Sequence, residues 1–302
     1  MWDNVRRACD IYPEKRISCL RKNGQEIRNT SEMVEVLAEA FASNCSASIY
    51  TEPFLTHKNR TERIKLRFQT IKHLSYNTDL TIFELHTALS VIKHTSPGPD
   101  EVTYSMLQHL SEHFLLNILY MFNRIWKEHV FPDCWKYAFI IPIPKPGKDQ
   151  QDPLNYRIIV LTSCMCKLFE RIVNVRLVHI LEKNEYISPF QNGFWKSRSI
   201  IDNLMSLEID IRFAFLKRNH LVSIFFDIYK AYDRTWRYGI MKNLYDLGFR
   251  KNLPIFVQNF LNQIFLSPLG NTYSNIFCQE EGVPQGCVSS VTLFVLAINP
   301  IL

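Results

Sequence analysis

The sequence predicts an α+β fold, mostly helical with a small antiparallel sheet. Two observations carry that reading. Long stretches repeat apolar residues at helical spacing; the clearest runs from Cys164 to about Lys183, with Leu168, Ile172, Val175, Val178 and Leu181 on one stripe. Between such stretches stand short β-prone runs flanked by turn residues, as at Trp135–Ile143 and Ile158–Leu161 around Pro144-Lys145-Pro146-Gly147. The chain of 302 residues is long enough for a substantial core. A hydrophobic content of 47% with 21% charged residues excludes a disordered polymer. The net charge of +6 suits a polyanionic partner.

Taken in order, residues 1–30 read as a linker with a short helix and a turn at Asn23-Gly24. Ser31 to about Phe41 has helical spacing with Thr30 or Ser31 as cap, and residues 44–56 read as loop. From Lys58 to Lys72 six cations face one acid, Glu62, and Arg63-Ile-Lys65-Leu-Arg67-Phe alternates as a strand with one charged face would. That face is either an edge protected from aggregation or a track for a phosphate backbone. Thr81 and Glu84 form a capping box for a helix whose inner stripe is Leu85, Ala88, Leu89 and Ile92. It stops before the fixed turn Ser96-Pro-Gly-Pro-Asp100. Helices are expected over about 103–110 and 113–128, then the two strands named above.

In the Cys164–Lys183 helix the charges Lys167, Glu170, Arg171 and Arg176 are expected outward. Ser199 with Asp202 caps a further helix that turns Leu204, Leu207, Ile211 and Phe215 to the core. Helices follow over about 238–247, closed by Gly248, and from Pro254 to about Phe265, then β-structure over 271–281. The eight cysteines form no C-x-x-C pair and read as reduced buried thiols of an intracellular protein, nuclear or cytoplasmic and not secreted. No targeting core stands at the N-terminus. Gly282 to Leu302 is uncharged, but Gln285, Ser289, Ser290, Asn299 and two prolines favour a buried strand–helix unit over a membrane anchor.

The most informative stretch is Leu221-Val-Ser-Ile-Phe-Phe-Asp227-Ile-Tyr-Lys-Ala-Tyr232-Asp233-Arg-Thr-Trp236. Six mostly apolar residues lead into an aspartate, as in a strand buried on both faces. Asp227 is then either a cap that ends the strand or a carboxylate held at the mouth of a cleft. About fifty residues on stands Glu281-Gly-Val-Pro-Gln285-Gly286-Cys. Together, in this order, the two elements resemble the first catalytic motif and the Gly-Val-Pro-Gln-Gly motif of reverse transcriptases of the non-LTR retrotransposon (jockey or LINE-like) type. Ser96-Pro-Gly-Pro-Asp100 and Gln191-Asn-Gly193-Phe194-Trp195-Lys-Ser-Arg198 also resemble elements of that family.

The resemblance implies a right-hand polymerase: residues 1–79 as an N-terminal extension with a basic segment, 80–220 as fingers and start of palm, and 221–302 as partial palm. It implies an RNA-directed DNA polymerase that uses an RNA template, a DNA primer, deoxynucleoside triphosphates and two Mg²⁺ ions, with no membrane partner. Asp227 would be catalytic and bind metal together with the Ile228 carbonyl. Lys145 and Arg157 would grip the triphosphate, a point charge and a bidentate fork. Tyr232 would lie under the sugar and exclude a 2′-hydroxyl, with Gln285 and Gly286 against the base and sugar. Asp233 and Arg234 would orient or pair locally. Arg63, Lys65, Arg67, Lys196 and Arg198 would contact nucleic acid. Trp195 stands where the family has arginine, Ile158 where it has proline, and Cys287 where it has serine. The family's downstream aromatic-x-Asp-Asp does not occur before Leu302, so these residues alone are expected to be inactive. The alternative is a catalytically dead nucleic-acid-binding remnant.

Overall fold

In a computed structural model, residues 17–93, 95–262, 264–269 and 272–301 are described. The chain enters through a hairpin, β1 (Leu20–Lys22) and β2 (Gln25–Ile27), where the expected linker stood. Asn23 and Gly24 both have positive φ, 52° and 81°, as a two-residue hairpin turn requires. The short helix expected in this region is absent from residues 17–29; residues 1–16, with Cys9, lie outside the described residues. Helix α1 (Thr30–Asn44) is capped by the Asn29 side chain, one residue before the expected caps. Helix α2 (Glu52–Thr61) replaces part of an expected loop.

The Thr81–Glu84 capping box is present and opens α3 (Ile82–Ser90). After α4 (Tyr104–Gln108), α5 (Glu112–Glu128) buries Leu115, Ile118, Phe122 and Trp126, one stripe at helical spacing. A short helix, α6 (Asp133–Lys136), leads into β3 (Tyr137–Pro144), which turns back as β4 (Tyr156–Leu161). Helix α7 (Cys164–Lys183) covers the sheet, with Phe169 fully buried among the rings of Phe122, Trp126, Trp135 and Phe256. The remaining helices are α8 (Ile200–Leu216), α9 (Arg237–Asp246), α10 (Asn252–Leu261) and α11 (Ser290–Ile298). The last strands are β5 (Ile264–Leu266), β6 (Pro268–Leu269), β7 (Thr272–Tyr273) and β8 (Phe277–Cys278).

The main sheet has the order β4-β3-β5-β8. Its β4–β3 and β5–β8 pairs are antiparallel, with Ile140 opposite Val160 and Phe265 opposite Phe277. The β3–β5 pair is parallel, a departure from an all-antiparallel sheet. One face of β3 sends Ala138 and Ile140 into the main core, which reaches from Leu20 to Leu296. On the other face Ile141 and Leu161 form a separate buried pair flanked by Phe139, Ile143 and Ile159.

Five expectations are corrected. Leu221–Asp227 is not a buried strand but an exposed coil, with Phe225 and Phe226 83% and 89% exposed. A strand needs a neighbour for its ladder, and among the described residues no strand pairs with this run. The Arg63–Phe68 alternation has no ladder and holds only from Lys65 on: Ile64 is exposed, Leu66 and Phe68 point inward, and Lys65 and Arg67 point out from an extended strap. Helix α8 buries none of its residues, so its expected inner stripe faces no core. In α7, Lys167 and Glu170 are buried and Arg176 is largely so, whereas Val175 is exposed. Of the cysteines, Cys134 and Cys278 are exposed rather than buried. Helix α11 is largely buried and so are Gly282–Pro284 before it, but Gly286 is exposed and residues 282–289 form no strand, so the expected strand–helix unit is only partly met. Among the described residues no helix is long and apolar enough to cross a membrane.

Candidate functional site

The chemistry-bearing motifs meet at the turn Gly282–Gly286. Its backbone is stitched to the preceding motif: Gly282 N–H donates to the Thr235 carbonyl and Val283 N–H to the Tyr232 carbonyl, both at 2.8 Å. On the other side the Gln285 carbonyl accepts from Val160 N–H of β4 at 2.7 Å. Two glycines make this fit possible. Gly282 has φ 86°, and a Cβ there would stand 2.5 Å from the Asp233 carbonyl oxygen. Gly286 has φ 117°, and a Cβ would stand 2.8 Å from the Val160 carbonyl oxygen. The turn is therefore wedged between residues 232–235 and β4, with Gly286 next to Ile159.

Side chains converge on the same place. Gln285 Nε2 donates to Asp233 Oδ1 at 3.1 Å. Asp233 is 9% exposed, and burial raises its carboxyl above the ordinary range despite Gln285 and the nearby cations Lys230, Lys145 and Arg234. Tyr232 stacks on Phe294 of α11, centroids 4.9 Å apart and planes 17° apart. Arg234 lies 4.8 Å over the Tyr229 ring.

The β3–β4 hairpin brings the two triphosphate candidates to one end. Lys145 follows β3; its N–H bonds the Asn155 carbonyl at 2.9 Å, and its ammonium donates to the Leu154 carbonyl at 3.1 Å. Arg157, opposite Ile143, is exposed on the face that carries Ile159. Lys145, Arg157, Tyr232, Gln285 and Gly286 are thus gathered around β4 and the wedged turn. Asp227 and Ile228 stand apart, in the exposed coil before the Tyr232 turn.

Two buried groups tie this region to the rest of the chain, and sequence reading missed both. Glu170 of α7 accepts from the N–H groups of Val288 (3.0 Å) and Ser289 (3.3 Å), which holds the start of α11. Burial pushes its carboxyl up to about 7. Glu281, ahead of the wedged turn, pairs with Lys58 of α2 at 3.1 Å and accepts from Arg237 N–H at 2.9 Å. Arg237 in turn donates to the Gly282 carbonyl at 2.8 Å and to the Gln279 carbonyl. Helical spacing put Glu170 among the charges expected outward, and nothing in the sequence marked Glu281 or its partner Lys58 as buried.

The cation candidates divide. Arg198 donates to the Ser188 (2.6 Å) and Gln191 (2.9 Å) carbonyls and so holds its own turn, while Lys196 is exposed. Both line an open cleft of about 710 Å³ that also carries Glu182, Glu185 and Trp195. Arg63, Lys65 and Arg67 are exposed on the strap. A metal is a poorer fit. Among the described residues no three His, Cys, Asp or Glu side chains converge, and Asp233 is already bonded to Gln285. One exposed carboxylate, Asp227, does not make up a two-metal centre.

Comparison with known proteins bears on this arrangement. Residues 143–302 match the family model described as Reverse transcriptase (RNA-dependent DNA polymerase). The chain is 31% identical over 202 residues to the probable RNA-directed DNA polymerase from transposon BS of Drosophila melanogaster, covering 66% of this chain and 22% of that protein. It is 29% identical over 269 residues to the counterpart from transposon X-element of the same fly, covering 86% and 29%. With the RNA-directed DNA polymerase from mobile element jockey it shares 28% identity over 295 residues, covering 97% and 32%. The chain thus spans less than a third of the length of these curated relatives.

Proposed function

The chain belongs to the reverse transcriptase (RNA-dependent DNA polymerase) family, in its non-LTR retrotransposon branch, and from that premise we propose that it forms the fingers and adjoining palm that bind nucleotide and template. The observation that carries the reading is the wedged Gly282–Gly286 turn, which puts Gln285 and Gly286 beside Tyr232 and β4. Lys145 and Arg157 would take the triphosphate of a deoxynucleoside triphosphate, as point charge and fork. Tyr232, braced by Phe294, would lie under the sugar, and Gln285 and Gly286 against sugar and base. Lys196 and the Arg63–Arg67 strap would meet the RNA template and DNA primer inside the cell, and Arg198 would keep the Lys196 turn in shape. We divide the chain into an extension over 1–79, fingers and start of palm over 80–220, and partial palm over 221–302.

RNA-directed DNA synthesis is assigned to the whole protein. The cations it uses would be magnesium, since triphosphates offer hard oxygen ligands. The 302 residues themselves supply binding, with Asp227 and the Ile228 carbonyl as the local contribution to a metal site. A second reading, nucleic-acid binding without turnover, is favoured by the exposed coil that carries Asp227. Fluorescence titration with a deoxynucleoside triphosphate tests the first. Lys145→Ala and Arg157→Ala should each weaken binding roughly tenfold, about the worth of a charged hydrogen bond; unchanged binding would refute the pocket. Primer extension on an RNA template separates the readings: incorporation by these 302 residues alone would remove the second.

A further inference from the structure

The strap that links α2 to the rest of the chain is fixed at three points, one on the cap residue of α9 and two along the helix. Trp236 Nε1 donates to Glu62 Oε1 at 2.8 Å, the Tyr238 hydroxyl donates to the Ile64 carbonyl at 2.6 Å, and the Phe68 ring meets Tyr245 at 5.9 Å. Beyond that, Lys251 N–H bonds the Phe68 carbonyl at 2.7 Å. Leu66 and Phe68 turn inward, so Lys65 and Arg67 project to solvent on the same side, about 6.6 Å apart at the usual rise of an extended chain. Arg60 and Arg63 are exposed at its start. Among the described residues no carboxylate pairs with Arg60, Arg63, Lys65 or Arg67; Glu62, the acid among them, is taken by Lys58 and Trp236. The strap is not a sheet edge, so guarding an edge against aggregation does not account for its charge.

Beside these cations stands a cluster of rings. Trp236 packs against His57 (5.8 Å), Phe54 (5.5 Å) and Tyr238 (5.6 Å), and His57 is exposed at its margin. Cations in a row next to an exposed ring, His57, backed by the half-buried rings of Tyr238 and Trp236, are what an unpaired strand uses: phosphates take the charge, and an unstacked base takes a ring. A duplex offers its phosphates but keeps its bases stacked on each other, so it would leave the rings idle. The cleft at Lys196 is the weaker polyanion site, because Glu182 and Glu185 share it.

We propose that the Glu62–Phe68 strap, with His57 and Tyr238, is a cradle for single-stranded nucleic acid, apart from the nucleotide pocket at β4. The proposal rests on the reading that the chain handles nucleic acid. It adds where an unpaired strand lies and what holds it. Recognition would be blind to sequence, since every base has a face to stack.

The test is fluorescence anisotropy with labelled oligo-uridylate and oligo-deoxythymidylate over a salt series, on the full chain. Arg63→Ala/Lys65→Ala/Arg67→Ala should flatten the slope of log affinity against log salt by about two, at roughly 0.7 per single-strand phosphate contact. Arg63→Lys/Arg67→Lys, which keeps the charges, should retain the slope. His57→Ala should weaken binding at every salt concentration by at least roughly fivefold and leave the slope alone. Tighter binding of the ribo-oligomer assigns the cradle to the template strand, and of the deoxy-oligomer to the DNA strand. A triple variant with the full wild-type slope and an unchanged melting curve would overturn the cradle while nucleotide binding at Lys145 and Arg157 stood. If the wild-type chain bound neither oligomer nor nucleotide, the functional reading would fall with it.

Discussion

At position 282 a methyl group would meet backbone, not a side chain that can swing away. A Cβ there lies 2.5 Å from the Asp233 carbonyl oxygen and 2.6 Å from that of Tyr232, on a residue with φ 86°. Gly24 has nearly the same φ, 81°, but open space around it. Gly24→Ala should therefore cost only the left-handed strain, about 1–2 kcal/mol, whereas Gly282→Ala should cost roughly 3 kcal/mol or more, read from urea midpoints. Glu170 gives a pH signature. Burial lifts its carboxyl from 4.5 to about 7, so between those values the folded chain holds a proton that the unfolded chain has released. The stability it contributes is full below about pH 4.5 and is lost as pH rises through about 7. Glu170→Gln keeps an acceptor for the Val288 and Ser289 amides and should flatten that decline, worth up to about 3 kcal/mol, in denaturation curves from pH 5 to 8.

The helices differ in how firmly they are held. Helix α7 is packed against the sheet, whereas α8, of similar length, buries no residue. Its amides should exchange with solvent at least tenfold faster than those of α7 in hydrogen-exchange mass spectrometry; equal protection would mean that α8 has a stabiliser the fold does not display. This contrast also shows what the sequence could tell. Period 3.6, the Thr81–Glu84 box and the Gly-Val-Pro-Gln-Gly turn are local signals, and all three have their counterparts in the fold. Whether a stripe has something to cover is not local: Leu204, Ile211 and Phe215 have the spacing of a core face and are exposed. The same holds for Leu221–Phe226, strand-like in composition but without a ladder, and for Arg63–Phe68, whose alternation comes from anchoring on α9. The site divided likewise. The hairpin cations and the turn glycines were legible from their motifs, but the bonding of Asp233 to Gln285 and the burial of Lys58 depend on partners far along the chain.

Across the whole molecule, α2 is bound to the wedged turn by a charged cluster rather than by apolar packing. Lys58 Nζ lies 2.8 Å from Glu62 and 3.1 Å from Glu281, and Glu281 is only 4% exposed. Lys58→Met would leave that carboxylate buried without its cation and should destabilise the chain by about 3 kcal/mol; adding Glu281→Gln should recover a good part of the loss. Recovery of nothing would mean that the loss comes from Glu62, the other carboxylate that Lys58 holds.

That cluster has a consequence for how the protein is made. Next to it, Ala47 N–H bonds Glu280 Oε2 across 233 residues of chain. At a synthesis rate of about 5–20 residues per second, α2 emerges from the ribosome roughly ten to fifty seconds before the residues that neutralise it. During that interval Lys58 has Glu62 but lacks Glu281, and its basic neighbours make a cation-rich segment on a nascent chain still close to its own messenger.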